Sequence, residues 1–367
     1  MRVLYISHLL EQSGWGQASR DILKAMDSVG IDVVPRVVYA NNPSYKPQGR
    51  MLSLLQKNSK NCDVVIQHVL PHLFQYDGNF KRNIGLYYAE SGELNYTSYF
   101  SYLNMMDELW VPSAMMIQQA VSAGVKTPIY QIPHPFNQID VNKYNRLPIA
   151  ECESGDYVFY YLGEATRRKN LSALIRAFHT EFSFNEPVQL VIKASKPGMS
   201  NSECANLINE IATAAKENSK LYYNVSKFKR EIIINSDMSD DNIRELHKTC
   251  DCLVVPSSGE AINLPAMDAL NFGNMVVGNK NTGIKEFVRH LGNGYLVKSH
   301  LKNCYGMVDG FKDMYSARET CYEIDEIDLC NGMRWAYNNR GKHTTTLSPT
   351  TEEVGLIIKE RLYESSK

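Results

Sequence analysis

Apolar residues fall in short runs separated by helical spacings and glycine turns, and this alternation recurs along nearly the whole chain. Val3–Ser7 is a brief apolar run that predicts a first strand. Ser13-Gly14-Trp15-Gly16 reads as a turn, and Ala18–Val29 carries Ile22, Leu23 and Met26 at helical spacing. Ile31–Tyr39 is β-rich and completes a βαβ unit, the building block of a parallel sheet. Further strands are predicted at Val64–His68, Asn83–Tyr88, Glu108–Val111 and Ile129–Ile132, with a helix over Ser113–Ala123 that stops at Gly124.

Between Phe136 and Asp156 the pattern lapses into polar residues with Pro148, Ser154 and Gly155, which reads as an interdomain linker. A second series then begins with a strand at Tyr157–Leu162 and a helix at Asn170–His179, whose Leu171, Leu174, Ile175 and Phe178 share one face. Strands are predicted at Val188–Lys193, Glu231–Asn235, Leu253–Val255 and Met275–Gly278, and helices at Asn201–Glu217, Ser239–Thr249 and Pro265–Phe272. Two successive doubly wound α/β domains fit this order better than one large sheet, and 367 residues exceed one ordinary core. The expected division is 1–150, 151–345, and a closing segment 346–367 whose helix, Glu352–Tyr363, packs back on the first domain.

Composition narrows the function. Hydrophobic residues make up 44% and charged residues 22%, an ordinary globular balance, and a formal net charge of −1 gives no pull toward nucleic acid. The eight cysteines include no Cys-x-x-Cys pair and read as buried free thiols. There is no Asp-x-Asp triplet, no His-Glu-x-x-His and no Cys/His cluster, so a metal is not expected. Met1–Ile6 is followed by Ser7, His8, Glu11 and Gln12, which suits a strand better than a signal peptide. No apolar run approaches the ~18–20 residues of a spanning helix. A soluble cytoplasmic chain is expected, with peripheral membrane contact left open.

The segment Pro256–Leu270 follows a buried strand and opens a helix, with Pro265 suited to the first helical position. A helix start after a strand presents N–H groups and positive dipole, which favour a pyrophosphate. Glu260 lies in the loop and Asp268 one turn into the helix, where carboxylates can accept hydrogen bonds from sugar or ribose hydroxyls; acidity at a helix start has the same appearance. The stretch resembles the E-x7-E signature of retaining glycosyltransferases of family 4. That resemblance implies the GT-B fold, two Rossmann-like doubly wound domains facing a central cleft. It also implies that Glu260 contacts the donor sugar, that Ile262, Asn263 and Leu264 approach the phosphate, and that Asp268 holds the ribose. Asn263 stands where the family has Gly, and Asp268 where it has Glu.

Tyr161–Asn170 resembles the same family's strand–loop–helix segment. Lys169 stands at the family's spacing from Gly163, just before an expected helix N-cap at Asn170, and would stabilise the departing diphosphate in a metal's stead. Glu164 occupies the family's Arg position, and Arg167 or Arg168 can substitute for it. Ser13–Ala18, with Gly14 and Gly16, resembles the family's first glycine loop beside the donor. Val111-Pro112-Ser113, Ile132–Asn137 and Asn279–Glu286 resemble three further family segments. Met238 is a possible wall for the nucleobase.

The resemblance thus implies a retaining, metal-independent hexosyltransferase that uses a nucleotide diphosphate-sugar, UDP- or GDP-linked, and no cofactor. Its acceptor would be a glycan, a lipid-linked glycan or a glycoprotein. Glu90, in Tyr88–Gly92 at a strand end, is the candidate for contacting the acceptor; His68 is the alternative, ahead of His72 and His134. Three rivals differ in class. A dinucleotide-dependent oxidoreductase wants an acid after the second strand, where Val37–Asn42 has none. A sugar-nucleotide epimerase shares the architecture, and a non-catalytic nucleotide-sugar- or glycan-binding protein would keep the fold without turnover.

Overall fold

The computed structural model describes residues 1–39, 43–153, 155–196, 198–307, 314–341, 343 and 347–364. The chain divides into two units, residues 1–138 with 347–367, and residues 139–346. In the first, β1 (Arg2–Ser7), α1 (Gly14–Ser28), β2 (Asp32–Val37), α2 (Gly49–Leu55) and β3 (Val64–His68) are followed by β4 (Arg82–Leu86), α3 (Tyr99–Leu103), β5 (Glu108–Val111), α4 (Ala114–Ser122) and β6 (Ile129–Gln131). The six strands form one sheet in the order β2-β1-β3-β4-β5-β6, every neighbour parallel. β3 and β5 are buried at every residue, as a parallel sheet covered on both faces requires.

The second unit contains β7 (Tyr157–Glu164), α5 (Leu171–Glu181), β8 (Val188–Ser195), α6 (Asn201–Ser219), β9 (Ile232–Ile234), α7 (Asp240–Thr249), β10 (Cys252–Val255) and α8 (Leu264–Asn271). β11 (Met275–Asn279), β12 (Gly294–Val297), β13 (Ser299–Asn303), β14 (Thr320–Ile324) and α9 (Glu326–Asn338) complete it. Its parallel sheet runs β12-β11-β10-β7-β8-β9, and β13 and β14 form a separate antiparallel ribbon. Phe159, Leu190 and Val254 on the sheet pack with Leu174 and Phe178 of α5 and Met333 of α9 in one core.

The last helix, α10 (Thr351–Glu364), belongs to the first unit. A Cβ on Gly355 would stand 2.2 Å from the Ala25 carbonyl of α1, so the two helices touch backbone to backbone there. Lys359 Nζ donates to Val29 O at 2.8 Å, and Arg361 clasps the buried Glu108 with bonds of 2.8 and 2.9 Å.

Several sequence expectations shift. The expected turn at Ser13–Gly16 is the helix start itself: Ser13 caps α1 by accepting from Gly16 N, and both glycines lie in the first turn. Gly16 fits because a Cβ would lie 1.9 Å from Glu11 O. β2 and β4 end at Val37 and Leu86, short of Tyr39 and Tyr88; Ala40, Asn41, Asn42 and Ser154 lie outside the described residues. β7 runs on through Gly163 and Glu164, which pair with Ala194 and Ser195. Pro265 is the second residue of α8, after Leu264. Asn170 precedes α5 in a left-handed conformation (φ 53°) and makes no side-chain cap.

Strand order sets where each unit can hold a ligand. In the second unit the chain moves from β7 outward to β8 and β9, then returns to β7's other side with β10, β11 and β12. The loops leaving the carboxyl ends of β7 and β10 therefore diverge around a topological switch point, the usual ligand crevice of open α/β sheets. The first unit has the same reversal between β1 and β3.

Candidate active site

The two loops at the second unit's switch point are bonded to each other. Ser258 N donates to Arg168 O at 2.8 Å, and Arg168 Nη1 donates to Gly259 O at 2.8 Å. Lys169 Nζ donates to Glu260 Oε1 at 2.6 Å, and Arg168 Nη1 stands 3.7 Å from Glu260 Oε2. Glu260 is only 4% exposed. Burial by itself would raise its carboxyl pKa, but the Lys169 and Arg168 charges, with hydrogen bonds from Lys169 and Ser257, outweigh it and hold the group below the usual carboxylate range. A third loop, after β11, holds the Glu260 main chain in place, with Gly283 N donating to the Glu260 backbone carbonyl at 2.8 Å. Gly283 lies so close that a Cβ would stand 1.8 Å from Ala261 O.

The remaining donor-side residues divide. Arg167 is exposed and lies over Gly306, where a Cβ would be 2.4 Å from its Nη1, so Arg168 is the arginine beside Glu260. Glu164 is exposed at the end of β7, and Asn170 Nδ2 donates to Glu323 Oε1 at 3.1 Å. Asn263 caps α8, its Oδ1 accepting from Ala266 N at 3.0 Å. Pro265 has no N–H, so Leu264 N–H is left as a first-turn donor without a partner among the described residues. Ile262 is half-buried in the same loop, and Asp268 is half-buried within α8. Met238 is half-buried between β9 and α7, just before the capping box of Ser239 and Asn242.

In the first unit, Gly14 is exposed at the start of α1, and Glu90 is half-buried in a bend after β4. The same unit holds a polar network the sequence did not reveal. Tyr88 Oη and His134 Nδ1 are 3.1 Å apart, and His134 Nε2 lies 3.5 Å from Asp21 Oδ2. Asp21 also accepts from Gln17 at 2.8 and 3.0 Å and from Asn137 Nδ2 at 3.0 Å. Burial would raise the Asp21 carboxyl, but His134, Lys24 and Gln17 hold it low. His68, fully buried, shares a 2.7 Å hydrogen bond with Tyr5 Oη, which itself donates to Ser19 O at 3.0 Å. The proton of the neutral ring is then on Nδ1, leaving Nε2 a buried acceptor without a partner. Burial, then the charges of His134 and His8, bring the His68 pKa down to about 3. His72 stacks on Tyr99 with centroids 5.9 Å apart. Asp21 carried no legible signal, because it sits mid-helix beside a basic residue as many solvated acids do.

All eight cysteines are free, six of them buried, with Cys62 and Cys152 half-exposed. Among the described residues no group of three or more His, Cys, Asp or Glu side chains is arranged to hold a metal. No helix among them is long and apolar enough to cross a membrane.

Residues 149–326 match the family model for glycosyl transferases group 1. No curated protein matches the chain. Among solved structures, HepE of Anabaena in complex with UDP-glucose superposes with a TM-score of 0.62 at 14% identity, each chain covering 100% of the other. Sucrose-phosphate synthase of Thermosynechococcus elongatus gives 0.60 at 14% identity, over 100% of this chain and 99% of that one. The lipopolysaccharide outer core galactosyltransferase WaaB gives 0.60 at 11% identity, over 98% and 95%. At such identities the likeness shows the fold, which is GT-B. Residues 149–326, which hold Lys169 and Glu260, are thus similar to the glycosyl transferases group 1 family, within a chain of two parallel-sheet, Rossmann-like units.

Proposed function

We propose that this chain is a retaining, metal-independent glycosyltransferase that moves a hexose-type sugar from a nucleotide diphosphate-sugar to a glycan, lipid-linked or glycoprotein acceptor. The observation that carries the reading is the Lys169–Glu260 pair at the switch point of the second unit, inside the matched family domain. Transfer breaks the bond between the anomeric carbon and the phosphate oxygen, and forms one from that carbon to an acceptor hydroxyl oxygen. The hydroxyl proton passes to the departing phosphate oxygen, on the face the acceptor occupies, so configuration is retained.

Each residue then has a task set by charge. Lys169 and Arg168 stabilise the negative charge that gathers on the leaving diphosphate, which is the work a metal does elsewhere. The start of α8, with Leu264 N–H free and Ile262 and Asn263 in the loop before it, adds backbone donors and dipole at a phosphate. Glu260, kept ionised, accepts from sugar hydroxyls, and Asp268 from the ribose. In the absence of donor the lysine and the carboxylate neutralise one another, so neither charge is stranded in the loop. Met238 walls the base, Gly14 and Gly16 let the first unit's backbone approach the donor, and Glu90 contacts the acceptor.

HepE is bound to UDP-glucose in its structure, which supports testing uridine nucleotides first. Thermal shift with UDP, GDP, ADP and TDP and their sugar conjugates, without metal, is expected to show stabilisation by one nucleotide family and its loss in Lys169→Ala. No stabilisation by any of them would overturn the reading in favour of a glycan-binding protein of this fold.

A further inference from the structure

β12, the segments just after β11 and β12, and the first turn of α9 line an open pocket of about 440 Å³ that neither Lys169 nor Glu260 lines. The carboxylate in its wall, Asp328, is buried and already bound. Tyr295 Oη donates to it at 3.1 Å, Lys298 N at 2.7 Å, and Lys298 Nζ stands 4.0 Å away. Lys280 and Lys285 also line the cavity, and neither has a carboxylate partner among the described residues. His290 adds a donor: its Nδ1 accepts from Leu296 N at 3.0 Å, so the neutral ring carries its proton on Nε2. The apolar part of the wall is Leu296 and the Tyr295 ring, which meets His290 edge-on with centroids 4.7 Å apart.

We propose that this cavity binds a small phosphomonoester, at a site separate from the donor crevice. Two uncompensated ammonium groups and an N–H donor match a dianion better than a single carboxylate, and lysine serves phosphate as a point charge. The cavity is larger than a phosphate and of small-molecule size, and its tyrosine and leucine wall suits the organic part, such as a sugar ring. The site stands on these residues alone and holds whether or not the chain transfers a sugar.

Calorimetric titration of the full chain with glucose 6-phosphate, inorganic phosphate and glucuronate tests it. Saturable binding of glucose 6-phosphate is expected, tighter than that of the other two. It should weaken about tenfold or more in Lys280→Gln/Lys285→Gln and persist in Lys169→Ala. Lys285 is exposed and Lys280 half-buried, and neither makes an ion pair among the described residues, so the double variant is expected to keep its circular dichroism spectrum. Absence of saturable binding, equal affinity in the double variant, loss in Lys169→Ala instead, or glucuronate binding as tightly would each overturn the assignment.

Discussion

At the scale of single residues, the chemistry turns on one buried carboxylate and the two cations that keep it charged. Glu260 has Lys169 at 2.6 Å and Arg168 at 3.7 Å, and no exposed route to solvent that would compensate their loss. Lys169→Ala and Glu260→Ala are each expected to lower transfer by about a hundredfold or more, measured as initial rate on the donor the thermal shifts identify. Lys169→Ala should also cost stability, because it leaves a buried charge with only the longer Arg168 contact. The double variant removes that charge and should recover part of the loss, with a coupling energy of about 1–3 kcal/mol in urea unfolding. Additive effects in the cycle would mean that the pair does not interact as the geometry says.

At the scale of elements, the parallel sheets depend on helices whose seating is set by small local features. Ser113 caps α4 by accepting from Met116 N and is fully buried. Ser113→Ala is expected to cost about 1 kcal/mol of stability by denaturant midpoint. Gly355 is the contact at which α10 lies against α1, and any Cβ there meets the Ala25 carbonyl, which cannot rotate away as a side chain would. Gly355→Ala should therefore cost about 1–3 kcal/mol even though alanine is the better helix former, because overpacking against backbone outweighs propensity. Stability equal to or above the parent's would mean the helices separate without penalty.

At the scale of the whole molecule, folding is linked to protons through the first unit's histidine. His68 has a folded pKa of about 3 against an unfolded value of 6.5, so below 6.5 the unfolded chain binds a proton that the folded chain refuses. Stability from this group is complete above pH 6.5 and is lost as pH falls toward 3. Denaturant midpoints should fall with acid over that window, and the gap between the parent and His68→Gln should narrow as they do. A gap independent of pH would show that His68 does not titrate between the two states.

The sequence by itself determined most of the strands, because buried parallel strands are continuous apolar runs: Val64–His68 and Glu108–Val111 were legible to the residue. It also placed Glu260 and Lys169 at a loop and a helix mouth, since proline, glycine and acid in that order have few alternatives after a strand. Elements held by tertiary contact were not legible. β12 contains Gly294, set where a Cβ would lie 2.1 Å from Val276 O, and α9 carries Glu326 and Asp328 in its first turn and Gly332 at its middle. The sequence left Arg167 and Arg168 equivalent, and only the folded loop separates them, one toward Glu260 and the other over Gly306. The network of Asp21, His134 and Tyr88 was equally hidden, because its members come from α1 and from the segments after β4 and β6 and meet only once the sheet has folded. Periodicity and turn chemistry are local properties that a sequence records. The direction of a side chain in a loop, and the partner of a buried charge, depend on residues far along the chain, so packing alone decides them.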